Sequence, residues 1–119
     1  MSLSAEAPWL RFYGDMPEHI DYPRKTLFQC VAQTAQAHPD AVAYEFEGGC
    51  VTYAGFLRRI ERAAAAFVSL GIARGDRVTL CLPNLPQAVD CFYALSRIGA
   101  VANMIHPLSA EKEIEFYLN

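Results

Sequence analysis

The sequence lacks the features that would place the protein in a membrane, in the secretory pathway or on a nucleic acid. It contains no run of about 18 uncharged apolar residues, the minimum for a membrane-spanning helix. Its N-terminus has no basic segment followed by an apolar one, so no secretory signal is visible. Lysine occurs only at Lys25 and Lys112, and the net charge is −3, which provides no basic stripe for phosphate backbones. We therefore expect a cytoplasmic protein with no transmembrane segment and no nucleic-acid partner.

The sequence also lacks the cysteine and histidine spacing of a metal site. No C-x-x-C pair occurs, and the three histidines lie far apart, which argues against zinc. Cys81 and Cys91 lie within apolar segments, where cysteine usually acts as a small buried hydrophobe. Free, buried thiols in a reducing cytoplasm are therefore expected for the four cysteines, Cys30, Cys50, Cys81 and Cys91.

Several motifs of enzyme chemistry are missing as well. Neither G-x-G-x-x-G, nor the Walker phosphate loop, nor the hydrolase elbow G-x-S-x-G occurs. The first strong strand is followed by residues 83–86, which contain no glycine. Glu111 and Glu113 are expected to face solvent rather than to act as a catalytic pair. The sequence predicts no catalytic, cofactor-binding or metal-binding residue in this chain.

Two polar residues follow predicted strands, where open α/β sheets place their ligands. His106 comes directly after one strand, and its alternative role is that of a loop residue before a proline. Asn84 follows the other strand, and its alternative role is a helix N-cap. His38, before Pro39, is expected to be structural. The cluster Arg58, Arg59 and Arg62, balanced by Glu61, is expected to form a solvated helix face.

Local signals in the first half predict a helix, a hairpin and a second helix. Thr26 and Gln29 match the capping box of a helix that ends before Pro39. A hairpin is predicted from strands 41–46 and 50–52 around the turn at 47–49. The following helix, 53–70, is capped by Thr52 and stopped by Gly71. Its predicted apolar face consists of Phe56, Leu57, Ile60, Ala63, Ala64, Phe67 and Leu70.

The second half predicts one βαβ unit and a final helix. The unit consists of strand 77–82, a helix to Ile98 capped by Asn84, and strand 100–105, and such crossovers give parallel strands. Ser109 is expected to cap the last helix. Two strands do not make an adequate sheet, so the fold class is α/β with an unfinished sheet. Residues 1–25, which hold several aromatic residues and three prolines, are expected to form an extended N-terminal lead.

Six segments occur in this order along the chain: PDAVAY at 39–44, VTYAGFL at 51–57, AAAAFVSLGI at 63–72, RGDRV at 74–78, LPN at 82–84 and RIGAV at 97–101. Their order resembles the N-terminal part of the AMP-binding, adenylate-forming superfamily. The resemblance covers about residues 24–119, and the lead with residues 13–27 is most similar to fatty-acyl-CoA ligases. One departure is Gly55, where the family usually has a glutamate.

This resemblance implies a fold and an activity for the parent enzyme. It implies ATP, Mg²⁺ and CoA as cofactors and a small carboxylic acid as substrate, activated as an acyl-adenylate and transferred to CoA. The family's phosphate loop, later motifs and C-terminal domain lie downstream of position 119. Lys25 and Lys112 follow no glycine-rich loop, so no family site residue is transferred here. Residues 26–119 are expected to be a truncated N-terminal AMP-binding domain and an inactive scaffold.

The same observations leave three alternative functions open and predict that the chain associates with a second copy of itself. The parent could be an aryl-CoA ligase or a peptide-synthetase adenylation domain, because the acyl pocket lies downstream. The chain could instead be a small non-catalytic α/β interaction module. Hydrophobic residues make up 53% of the chain, above the roughly 45–50% of soluble domains on a similar count. This excess, together with exposed strand edges, predicts self-association.

Overall fold

A computed structural model describes residues 7–119, so the first six residues of the predicted lead lie outside the described part. Within 7–25, a single 3₁₀ turn at Leu10–Phe12 is the one regular element. The aromatic side chains of Trp9, Phe12 and Tyr22 are exposed. This segment therefore contributes little to the core of the described structure.

The first helix, α1, spans Leu27–Ala37 and begins as its sequence predicts. The Gln29 amide donates to Thr26 Oγ1 at 3.1 Å, and the Thr26 amide donates to Gln29 Oε1 at 2.8 Å, which completes the capping box. The helix ends two residues before Pro39. His38 stands at the C-cap, and its amide donates to the Thr34 carbonyl, in agreement with a structural role.

An antiparallel hairpin follows α1, with β1 at Val42–Phe46 and β2 at Gly49–Thr52. The register pairs Phe46 with Gly49, so the connecting turn is two residues long. Glu47 and Gly48 occupy it with φ of 48° and 79°. Positive φ at both central residues suits the twist of a hairpin, which explains why glycine is needed at the second.

The second helix, α2, spans Tyr53–Ser69 and carries the centre of the core. Thr52 caps it as predicted, since its Oγ1 accepts from the Gly55 amide at 3.2 Å. Phe56, Ile60 and Ala64 are buried at i, i+4 and i+8. Leu70 is exposed, contrary to the predicted apolar face, because it is the C-cap and lies past the last packed turn.

The predicted βαβ unit is present, formed by β3 at Arg77–Cys81, α3 at Pro86–Ile98 and β4 at Val101–Ile105. The strands β3 and β4 are parallel, in a register that pairs Arg77 with Val101 and Cys81 with Ile105. Together with the separate hairpin, this confirms the α/β fold class. Gly99 ends α3 with φ of 78°, a conformation that glycine adopts without strain.

Two predicted helix caps are wrong by one residue. Leu85, not Asn84, is the N-cap of α3, and it makes no side-chain hydrogen bond to the helix; Pro86 at N1 needs no amide partner. The last helix, α4, spans Glu111–Leu118 and has Ala110, not Ser109, at its N-cap. Alanine has no side-chain oxygen, so the reciprocal bond from the Ala110 amide to Glu113 Oε2, at 3.1 Å, is the half of the capping box that forms.

The core lies where α1, α2 and α3 pack together beside the hairpin. Its fully or nearly fully buried members are Val31, Phe56, Ile60, Ala64 and Ala94. The thiols are less buried than predicted: Cys30, Cys50 and Cys81 are exposed and Cys91 is half-buried. Cys81 is exposed because no other described element covers that part of the two-stranded sheet. No helix among residues 7–119 is both long enough and apolar enough to span a bilayer.

Candidate functional site

A groove of about 420 Å³ lies beside the β3–β4 sheet. The strand β4 contributes Met104, next to its carboxyl end, and the loop after β3 contributes Asn84. In open α/β sheets this edge is where ligands bind. The remaining wall comes from β1 and α3 and is largely apolar; it includes Tyr44, Phe46, Leu85, Pro86, Val89, Phe92 and Tyr93.

The two polar residues predicted at this edge have different positions. Asn84 lines the groove and is exposed, and its side chain is free of the capping role that the sequence suggested. His106 is exposed and does not line the groove. Its Nδ1 accepts a hydrogen bond from the Leu108 amide at 3.1 Å, which stabilises the turn before α4. The structure thus agrees with the loop role for His106 and places Asn84, together with Glu45, among the polar residues that line the groove.

A buried carboxylate behind the groove joins three elements. Asp90 of α3 is 7% exposed, and its Oδ2 accepts from Arg59 Nε of α2 at 3.0 Å. Its Oδ1 accepts a weaker hydrogen bond of 3.5 Å from the hydroxyl of Tyr44, a β1 residue that also lines the groove. The Asp90 carboxylate therefore fixes the orientation of a groove side chain from behind.

Burial and charge shift the pKa values in this cluster. Burial raises the pKa of Asp90, and the charge of Arg59 with the hydrogen bonds from Arg59 and Tyr44 offset part of the rise. Burial and then the Asp90 charge raise the pKa of Tyr44, so its hydroxyl remains protonated and able to donate. Burial also raises the pKa of the neighbouring Cys91 thiol, which makes it a poorer nucleophile at neutral pH.

The sequence did not predict this cluster, although a signal for it exists. Asp90 lies one helical turn before Ala94, which is fully buried, so it belongs to the inward stripe of α3. The neighbouring Val89 is exposed. The arginine cluster also differs from the prediction: Glu61 pairs with Arg97 at 2.6 Å and does not balance the arginines of α2.

The described residues do not fit the phosphate groups of a nucleotide or a bound Mg²⁺ at the groove. Within 7–119, no group of three His, Cys, Asp or Glu side chains could hold a metal ion. Neither lysine lines the groove: Lys25 Nζ donates to Gln33 Oε1 at 2.7 Å, and Lys112 lies in α4. The groove can hold an apolar group in place, but these side chains do not supply the charge that phosphoryl transfer requires.

Comparison with known proteins relates this arrangement to one group of enzymes. A family model described as "AMP-binding enzyme" matches residues 31–119. A long-chain-fatty-acid–CoA ligase of Bacillus subtilis is 33% identical over 117 residues, which cover 98% of this chain and 21% of that protein. A vibriobactin-specific 2,3-dihydroxybenzoate-AMP ligase of Vibrio cholerae is 36% identical over 111 residues, covering 92% and 20%.

Among solved structures, the N-terminal domain of FACL13 from Mycobacterium tuberculosis superposes with a TM-score of 0.75 at 34% identity. The superposition covers 79% of this chain and 24% of that domain. The chain spans about a fifth of the length of the two curated relatives. The hairpin, α2 and the βαβ unit all lie within residues 31–119, so the elements that form the groove lie in the matched region.

Proposed function

The chain belongs to the AMP-binding enzyme family, and from that premise we propose that it is a framework segment of an ATP-dependent acyl-CoA ligase. In the proposed reaction, a carboxylate oxygen attacks the α-phosphorus of ATP and pyrophosphate leaves, giving an acyl-adenylate. The CoA thiol then attacks the acyl carbon, loses its proton and expels AMP, giving the thioester. The proposed substrate is a fatty acid, which the likeness to the long-chain ligase supports.

The observation that carries this proposal is the combination of a family match with an absence of positively charged side chains among the described residues that line the groove. The matched region supplies the hairpin, the packed helices α2 and α3, and the parallel strands β3 and β4. The described residues at the groove are mainly apolar and include no lysine or arginine. We infer that this segment shapes and supports a site whose ATP, Mg²⁺ and CoA contacts come from other residues.

The proposed organisation follows from the same reasoning. Residues 1–25 act as an N-terminal lead, and residues 26–119 form part of the N-terminal AMP-binding domain. The phosphate loop and the C-terminal domain of the family are not found among residues 1–119. We further propose a cytoplasmic location, because no pair of the four cysteines forms a disulfide.

Residues 1–119 alone are expected to catalyse no ATP–pyrophosphate exchange with fatty acids, because the described residues of the groove include no positively charged donor for the transferred phosphate. Calorimetry with ATP and Mg²⁺ should likewise show no micromolar binding. The full-length Bacillus subtilis ligase, assayed in parallel, provides the positive control. Exchange above the no-enzyme rate, or micromolar binding of ATP that is tighter than the binding of tripolyphosphate, would show that the chain contains catalytic machinery.

An aryl substrate is the second candidate for the parent reaction. The observation that favours it is the 36% identity to a ligase whose name specifies 2,3-dihydroxybenzoate. Assaying the enzyme that contains these residues against fatty acids and hydroxybenzoates, with CoA or a carrier-protein thiol as acceptor, separates the two. A third possibility is a non-catalytic interaction module. In that case the protein that contains these residues should catalyse no ATP–pyrophosphate exchange with any of the acids.

We also propose that the isolated chain associates with a second copy. Among residues 7–119 the parallel sheet has two strands, so β3 and β4 each have one edge that pairs with no other described strand. Apolar side chains such as Val101, Met104 and Phe116 are exposed on β4 or α4. Unpaired edges bind further strands through main-chain hydrogen bonds. Light scattering at increasing concentration should give a dimer or larger mass. A monomer at about 1 mM would contradict this expectation, since 1 mM corresponds to only about −4.1 kcal/mol of association.

A further inference from the structure

Three arginines near the start of α2 form a positive patch that the nearby carboxylates do not neutralise. Arg58, Arg59 and Arg62 are three of the ten basic residues of a chain whose net charge is −3. Among the described residues, Asp90 forms an ion pair with Arg59, and Glu61 forms an ion pair with Arg97. No ion pair of the described structure involves Arg58 or Arg62. The patch therefore keeps a net positive charge.

The spacing of these arginines brings their charges together. Residues 58 and 62 are four apart on α2, so their Cβ atoms are about 5–6 Å apart and on one face. Like charges at this spacing disfavour the helix unless a counter-charge lies between them. Arg59 uses Nε for Asp90, which leaves its terminal amino groups as donors. Three exposed or half-exposed guanidinium groups at this spacing favour the binding of an anion between them.

A concavity of about 430 Å³ lies between these side chains and the hairpin. All three arginines line it. Its floor is made by the end of β2 and the first turn of α2, with Val51, Thr52 and Gly55. Because residue 55 has no side chain, the space next to the guanidinium of Arg58 is open. The concavity is thus wide enough for a phosphate group with its hydration water.

The backbone amides of the helix start do not contribute to this concavity. The Tyr53 and Ala54 amides donate to the carbonyls of Ala41 and Pro39 at 2.9 and 3.0 Å. The Gly55 amide donates to Thr52 Oγ1 at 3.2 Å. Recognition of an anion here would therefore depend on the guanidinium groups, and arginine substitutions test it directly.

We propose that this concavity binds the phosphate group of a small anionic ligand, with Arg58 and Arg62 as its charged contacts and Arg59 as a third donor. The planar guanidinium fork matches the spacing of phosphate oxygens and can bind two of them at once. Inorganic phosphate and a phosphate ester present the same chemistry. None of the three arginines lines the groove, so the proposed phosphate binding does not depend on the proposed ligase reaction.

The test is a titration of the 119-residue chain with inorganic pyrophosphate at constant ionic strength, followed by calorimetry and by the Nε signals of labelled arginine. Saturable binding is expected, with shifts at the α2 arginines. The double variant R58A/R62A should lose about tenfold or more in affinity. The matched control R11A/R24A removes two exposed arginines from the lead and should bind as the wild type does.

A second pair of variants tests the open space at residue 55. A Cβ there would meet Thr52 Oγ1 and Val51 Cγ1 at 3.4 Å and Arg58 Nη2 at 3.8 Å, all ordinary contacts, so a side chain fits. G55E places a carboxylate beside the arginines and should abolish pyrophosphate binding, whereas the neutral G55Q should retain it. Equal binding by R58A/R62A and wild type, or equal losses in G55E and G55Q, would overturn the proposal.

The source of the phosphate group is distinguished in the same experiment. Tripolyphosphate and ATP are titrated next to pyrophosphate. Similar affinities of ATP and tripolyphosphate show that phosphate alone is recognised. If ATP binds more tightly than tripolyphosphate, and R58A/R62A still binds it, the framework role proposed above is contradicted. The pyrophosphate result would be unaffected, so the two proposals can fail separately.

Discussion

Replacing Phe56 by alanine is expected to lower the free energy of unfolding by about 3–5 kcal/mol. Phe56 is 5% exposed and lies in the middle of the core on α2. Its ring packs edge-to-face against Tyr44 and Tyr93, with both centroid distances 5.4 Å. Truncation leaves a cavity and removes two aromatic contacts that join β1, α2 and α3. Urea denaturation followed by circular dichroism measures the change.

Two further variants keep this prediction testable if the alanine variant is largely unfolded in water. F56L retains most of the buried volume and is expected to lose about 1–2 kcal/mol. V68A changes a residue of the same helix that is 57% exposed, and its effect should stay within about 0.5 kcal/mol. If F56A were as stable as V68A, the assignment of Phe56 to the core would be wrong.

Features that depend on a few consecutive residues could be predicted from the sequence. The capping box of Thr26, the Thr52 cap and the stop at Gly99 each follow from the local chemistry of a helix end. The hairpin follows from the glycines at 48 and 49, and the parallel pair follows from the handedness of βαβ crossovers. The fold class was confirmed for this reason.

Features that depend on tertiary packing could not be predicted in the same way. Asn84 and Ser109 are residue types that cap helices, yet the chain enters α3 and α4 one residue later, at Leu85 and Ala110. Cys81 lies in an apolar strand but is exposed, because nothing among the described residues covers that part of the sheet. A local sequence pattern indicates which residues prefer to be buried. It does not indicate which surfaces will be covered by another helix or strand.

The candidate site shows the same limit more clearly. The groove is formed by residues from β1, β4, the loop after β3 and α3, which are up to 60 positions apart in the chain, Tyr44 and Met104 being the extremes. Asn84 was identified because strand ends are general ligand positions. Tyr44 and Asp90 were missed because their contact joins residues 46 positions apart. Only the helical phase of Asp90 relative to Ala94 indicated its burial.

Replacing Asp90 by alanine is expected to lower the free energy of unfolding by about 1–3 kcal/mol, because it leaves Arg59 and the Tyr44 hydroxyl without their acceptor. The Arg59 side chain is 41% exposed, so water solvates the freed guanidinium and the loss stays below that of a fully buried pair. D90N keeps the side-chain size and an acceptor oxygen, and it should lie closer to wild type. Denaturant titration at neutral pH measures both.

The pH dependence of the stability of the wild type and of D90N tests the electrostatics of the buried Asp90 carboxylate. Burial raises the folded-state pKa of Asp90 above its ordinary value of 3.8. The stability gained from protonating this group is therefore fully present below pH 3.8 and is lost as the pH rises through the raised folded-state value. The difference in free energy of unfolding, wild type minus D90N, should increase on acidification from pH 7. Taking this difference cancels the pH-dependent contributions of the other carboxylates, which both proteins share. A difference that decreases on acidification would mean that the Arg59 ion pair outweighs burial, which would contradict the raised pKa.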